Sequence, residues 1–374
     1  MIKKDAVLRS YGLDTLKTIA AIIVVFLHYQ AFFGVVFFDH INFYDTWFEW
    51  YRVVEFFCLL SGYFMYKNIT AIQEGKHSLI GWYFLRAKRI LPMVIVTTML
   101  YELMVIIEVK YSLNLYSIWM CVLSLWQSIL VALGMNAGWF FGIASVYQVA
   151  WYIGVLMLCY MVFFIVTKLA QVMRSSPLNL YIFMVFLGIG IQFYGINLPF
   201  LNSEAARGYY SFFFGLILAY YVREIGISKR SVLLAMLAIL ITVLYLIKLQ
   251  ENSILHENRY LLVFVIYPTL VILFETDFVK GIFKHPFWGL LGKVSFEVYL
   301  WHYPVFAVLQ SLMANQVLSF DVHSFKTMYL FVAIVEIVAF FAYFFIEKPL
   351  SKLVDREFKR FEKKNMGIDA SVKR

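Results

Sequence analysis

The sequence predicts an all-α protein, a polytopic membrane bundle of about ten transmembrane helices with both termini cytoplasmic and one extra re-entrant or interfacial segment. Three observations carry that prediction. Of the 374 residues, 63% are hydrophobic and only 15% charged, and the mean hydropathy is +0.78. Apolar runs of about 20 residues, the length a helix needs to cross the hydrocarbon core, recur along the whole chain. The basic residues gather on alternate connections, the mark of cytoplasmic loops.

The apolar runs place spans at 13–33, 50–67, 91–109, 145–167, 178–197, 208–222, 231–248, 260–275, 294–313 and 326–346. With the N-terminus inside, all but six of the 32 Lys and Arg fall on the cytoplasmic side, the exceptions being Arg52, Lys110, Arg207, Lys248, Arg259 and Lys326. A net charge of +9 would point to nucleic acid in a soluble protein. Here it reports topology, so membrane lipids and not nucleic acid are the expected surroundings. No polar block is long enough for a separate soluble domain. The chain therefore divides into a transmembrane domain over 1–350 and a basic cytoplasmic tail over 351–374, partly amphipathic and able to rest on an anionic leaflet. No small-residue cleavage site follows the first apolar run, so the first helix reads as an uncleaved signal anchor.

One stretch resists the scheme. YSIWMCVLSLWQSILVALGMNAGWF, Tyr116 to Phe140, is apolar enough to span but has no basic residue at either end. Counting it as a span inverts every later loop, so it is read as re-entrant or interfacial, with its tryptophans at the headgroup level. An ordinary eleventh helix is the alternative.

The first helix carries polar residues where they are costly. Within LRSYGLDTLKTIAAIIVVFLHYQAFF, Lys17 and His28 are eleven residues apart, which on an α-helix is about 20° in direction and about 16 Å in height. Asp14 lies one turn before Lys17, so the three form a stripe. His28 has the chemistry of a general base; a helix-packing histidine bonded to a neighbouring carbonyl is the plainer reading. Asp14 and Lys17 can pair at i, i+3. The second span adds Glu55, which a membrane obliges to be paired, protonated or exposed to a water-filled cavity, and Ser61-Gly62, a thin surface for close approach. Arg86, Lys88 and Arg89 form a basic cluster that serves either as a positive-inside anchor or as a phosphate site. The ninth span contributes Ser295, Glu297, Tyr299 and His302, with Glu297 and His302 off one stripe, and the tenth is punctuated by Glu336 and Glu347. Cys58, Cys121 and Cys159 lie in apolar surroundings without CxxC spacing, and no HExxH, GxSxG or Walker pattern occurs. Zinc, hydrolase-elbow and P-loop chemistries therefore have no support, and no metal is expected.

These motifs, taken in order, resemble the acyltransferase 3 family of integral membrane O-acyltransferases. LDTLKTIAAIIVVFLH matches the family's first-helix pattern, with Lys17 where arginine is usual. EFFCLLSGY, RAKRILP, SFEVYLWHYP and EKP match four further family motifs, the last at Glu347 to Pro349. WYIGVL departs from the WxLxxE of many glycan-modifying members, with Leu156 in place of the glutamate, and is closer to the surface-polysaccharide and wall-precursor branch.

The resemblance implies transfer of an acetyl or other short acyl group from cytosolic acyl-CoA to a hydroxyl of a cell-envelope glycan, glycolipid or wall precursor, at a bacterial cytoplasmic membrane. His28 is then the catalytic base or a transient acyl carrier, and Glu55 its orienting acid. Lys17, Arg86, Lys88 and Arg89 hold the CoA phosphates, while Asp14, Ser61, Glu297 and His302 stand behind them. Acyl-CoA is a substrate here, and no permanently bound cofactor is expected. The polar stripe also fits a proton-coupled transporter or flippase, or a non-catalytic membrane sensor module.

Overall fold

The structure, a computed structural model, describes residues 11–35, 50–110, 126–140, 148–250, 259–358 and 360. The loop after the first span, Cys121, the first half of the 116–140 stretch and the tail beyond 360 lie outside the described residues. Within them the chain is helical and forms no β-strand.

All ten apolar segments are helical. α1 is Tyr11–Phe33, α2 Val53–Met65, α3 Ile69–Gln73 and α4 Leu79–Lys110, with Pro92 inside it. A seven-residue α5 covers 126–132. α6 is Trp151–Val172, α7 Pro177–Tyr194, α8 Ser203–Tyr220 and α9 Lys229–Gln250. α10, Arg259–Leu261, passes through a π turn at Leu262–Ile266 into α11, Tyr267–Phe274, and the short α12 is Asp277–Ile282. α13 runs over Pro286–Ala314 and α14 over Phe325–Ala342, continuing through a π turn at Tyr343–Glu347 to Phe358. Residue 350 is therefore no break in the backbone. Four helices, Tyr11–Phe33, Trp151–Val172, Pro177–Tyr194 and Phe325–Phe358, are long and apolar enough to cross a membrane.

Local sequence sets the ends. Ser176 caps α7 by accepting from the N–H of Leu178 at 3.3 Å, and Pro177 occupies the position where a missing N–H costs nothing. Asn202 caps α8 through the N–H of Ala205 at 2.9 Å. Gly195 ends α7 in the left-handed region.

Packing depends on glycines at two seams. α1 and α13 run parallel, with Gly289 against Tyr11 and Gly292 against Asp14. α2 and α8 run parallel and meet reciprocally, Gly62 against the carbonyl of Phe212 and Gly215 against that of Leu59. With no side chain in the way, the backbones approach to contact distance, as membrane helices do at small residues. The Gly62 side of this surface is thus occupied by α8. Facing outward, Phe183 and Phe186 on α7, Leu237, Leu240 and Ile241 on α9, and Ile337 and Phe341 on α14 are exposed. Apolar outer faces over a packed interior suit a lipid surround.

The described part of the 116–140 stretch is α5 followed by turns at Gly134 and Gly138, both at positive φ. Hydrogen bonds hold it in place: Tyr83 Oη donates to the carbonyl of Leu133 at 2.9 Å, Asn136 Nδ2 to Ala150 at 3.0 Å and Trp139 Nε1 to Gly154 at 2.9 Å.

Candidate active site

The parallel course of α1 and α13 brings two histidines together. The imidazoles of His28 and His302 stack with centroids 5.0 Å apart and planes at 26°. Tyr303 stands edge-on to both, at 5.1 Å from His28 and 5.2 Å from His302. His302 is fully buried, and neither ring nitrogen meets a partner in hydrogen-bond geometry, although the carbonyls of Val298 and Tyr299 lie within electrostatic reach. His28 keeps part of its surface open.

Glu55 is buried and engaged elsewhere. Arg207 grips it with both arms of its fork, Nε to Oε1 at 2.8 Å and Nη2 to Oε2 at 3.0 Å, and Tyr210 Oη donates to Oε1 at 3.3 Å. Arg52 Nη1 is 3.6 Å from Oε1, and the Arg207 guanidinium lies 4.4 Å over the ring of Trp151. No hydrogen bond or ion pair joins Glu55 to His28. Aromatic contacts run from α2 to the second histidine: the Phe57 ring lies 5.9 Å from Tyr299, and Tyr299 lies 6.0 Å from His302. Glu55 therefore fixes the start of α2 against α8, where the sequence had it orienting the imidazole. It does so through a bidentate, charge-assisted pair.

At the other end of α1, Lys17 Nζ pairs with Asp14 Oδ1 at 3.1 Å and lies 4.4 Å over the ring of Phe64. The basic cluster on α4 is divided. Lys88 pairs with Asp355 at 2.9 Å, tying the continuation of α14 to α4. Arg86 lies 4.1 Å over Trp82, with its buried Nε unpartnered. Arg89 is exposed and has no ion pair among the described residues. Ser61 lies within reach of the Tyr152 and Tyr160 hydroxyls. Glu297 accepts from Trp301 Nε1 at 2.9 Å through Oε2, one and a half turns before His302 on the same helix.

These placements follow the motif order of the sequence, and comparison with known families bears on the whole chain: the acyltransferase 3 model, described as an acyltransferase domain, matches residues 10–346. The chain belongs to the acyltransferase 3 family. No curated protein and no solved structure matches it. The acyltransferase 3 match covers His28, Glu55, the α4 cluster, Glu297 and His302 alike. Membership makes this a membrane acyltransferase. Among the described residues, no three His, Cys, Asp or Glu side chains converge as metal ligands would.

Two residues escaped the sequence reading. Arg207 was counted only as a charge on the outer side, yet a cation in the run SEAARGYYSFFFG, followed by apolar residues, needed a buried partner. Tyr303 had no signal beyond its place beside His302.

Proposed function

We propose that this acyltransferase moves an acetyl or other short acyl group from cytosolic acyl-CoA to a hydroxyl of an envelope glycan, glycolipid or wall precursor. The ten helical segments would cross a bacterial cytoplasmic membrane with both termini inside. The observation that carries this reading is the His28–His302 stack in a family whose chemistry is acyl transfer. In it, His28 takes the proton of the acceptor hydroxyl as the oxygen attacks the thioester carbonyl. The C–O bond forms, the C–S bond breaks, and the proton passes to the departing CoA thiolate. General-base help of this kind contributes ~10²- to 10⁴-fold.

His302 is a positioning residue, holding the His28 ring by stacking from the sealed side. Arg86 and Arg89, which form no ion pair among the described residues, hold CoA phosphates through charge-assisted bonds, with Lys17 and Lys88 adding positive field. Glu55 contributes through Arg207 by fixing α2.

The test is release of CoA from acetyl-CoA by the protein reconstituted in vesicles, with an envelope glycolipid extract as acceptor. Acceptor-dependent CoA release and a mass increment of one acyl group on the glycolipid are expected. Uptake of solute without CoA release would move the assignment to transport.

A further inference from the structure

Among the described residues three buried carboxyl oxygens, on Glu297, Glu336 and Glu347, have no donor, and the mechanism above uses none of them. Glu297 is fully buried; Trp301 satisfies Oε2, while Oε1 is bare. Glu347 closes the π turn Tyr343–Glu347, and its Oε2 is likewise buried and bare. Glu347 lies within electrostatic reach of Glu297, and Arg89 and Lys348 within reach of Glu347, the π turn that carries Glu347 packing against α4. A buried oxygen without a donor is costly, and π turns recur at functional sites. These two oxygens call for a ligand that brings N–H or O–H groups. With Arg89 and Lys348 already alongside, a cation is disfavoured.

The order along the bundle identifies the ligand class. Arg86 and Arg89 come first, then Glu347, then Glu297, then the histidines. By helical rise Arg89 lies about 18 Å before Tyr101 on α4, and the Tyr101 ring is 5.9 Å from Tyr303, beside the histidine pair. Glu297 lies about 7.5 Å before His302. A pantetheine arm matches both spacings. At the ~3.5 Å per three bonds of an extended chain, the dozen bonds from its phosphate to its sulfur span roughly 15 Å, and the seven from sulfur to its farther amide nitrogen roughly 8 Å.

We propose that Glu297 and Glu347 are the subsite for this arm, Glu297 Oε1 accepting the farther amide N–H and Glu347 Oε2 accepting the neighbouring hydroxyl. The subsite rests on the acyl-CoA reading above and assigns both residues to donor binding, not to chemistry.

The test uses three probes: acetyl-CoA, acetyl-pantetheine, which keeps the amides and hydroxyl but lacks the nucleotide, and S-ethyl thioacetate, which has neither. Glu297→Ala and Glu347→Ala should each raise KM for the first two about three- to tenfold, the loss of one hydrogen bond, with kcat within about twofold by the same measure. Glu297→Gln, which keeps a carbonyl acceptor, should restore most of the affinity, and KM for ethyl thioacetate should not move. Unchanged KM for acetyl-pantetheine, or an equal loss on ethyl thioacetate, overturns the subsite and leaves the acyl-CoA reading standing. A wild-type protein that turns over none of the three probes overturns both. If the alanine variants do not fold, the wild type decides: an equal KM for acetyl-pantetheine and ethyl thioacetate overturns the subsite.

Discussion

The ring of His28 lies 5.0 Å from that of His302, nearly parallel to it, and only His28 has surface to spare. The family resemblance sets His28 first and His302 behind it, and variants of the two test that order. His28→Ala should lower kcat for acyl transfer by at least ~10²-fold. Membrane insertion should be intact, as judged by a monodisperse profile in detergent. Near-normal CoA release by this variant would refute the assignment.

His302 should behave differently. His302→Phe keeps a stacking ring and should retain most of the turnover, whereas His302→Ala opens a cavity beside His28 and should lower kcat with KM for acyl-CoA unchanged. Steady-state kinetics of the two variants check this. A phenylalanine variant as inactive as His28→Ala would make His302 a catalytic group in its own right.

The Glu55–Arg207 pair predicts a stability effect. Glu55→Ala leaves the Arg207 guanidinium facing an apolar interior, and breaking a buried pair from one side typically costs ~3–5 kcal/mol. The double variant Glu55→Ala/Arg207→Ala, which leaves no orphan charge, should recover part of that loss. Thermal unfolding followed by detergent size exclusion reads both; additive losses would show that the two side chains do not act as a pair.

Arg86 and Arg89 should matter to the nucleotide end of the donor alone. Alanine at both should raise KM for acetyl-CoA and flatten its dependence on ionic strength, since exposed charges are screened over ~8–10 Å at physiological salt. Turnover of acetyl-pantetheine should be indifferent to the change. Equal effects on the two donors would return the cluster to a purely topological role.

At the α2–α8 seam, Gly62→Val should abolish folding, because its Cβ would collide with a backbone carbonyl of Phe212 that has no rotamer to offer. The yield of protein extracted from membranes measures this. Gly190 is the control, since nothing lies within 4 Å of a Cβ there; Gly190→Ala should express normally.

Much of this was legible in the chain itself. Helical arithmetic on one segment put Asp14, Lys17 and His28 on one stripe, of which Asp14 and His28 meet α13 while Lys17 lies over Phe64 of α2, and Glu55 required a partner because a membrane does not tolerate a bare carboxylate. What arithmetic on single helices cannot give is which helix stands opposite. The partner of Glu55 is 152 residues away, and the neighbour of His28 comes from α13, so both pairings depend on tertiary packing. The Ser61-Gly62 surface was open to a ligand or a helix until α8 was seen to fill its Gly62 side.

The seam between α1 and α13 has a consequence at a distance. The two helices rise together from Tyr11 and Gly289, and their separation is gauged where Asp14 meets Gly292, ten residues or roughly 15 Å below His302. A side chain introduced at Gly292 would act as a wedge under the shaft of a lever, tilting the helices and spreading the imidazoles without touching either. Gly292→Ala, a methyl group about three turns from the histidines, is therefore expected to lower turnover, and acyl-transfer kinetics of that variant check it.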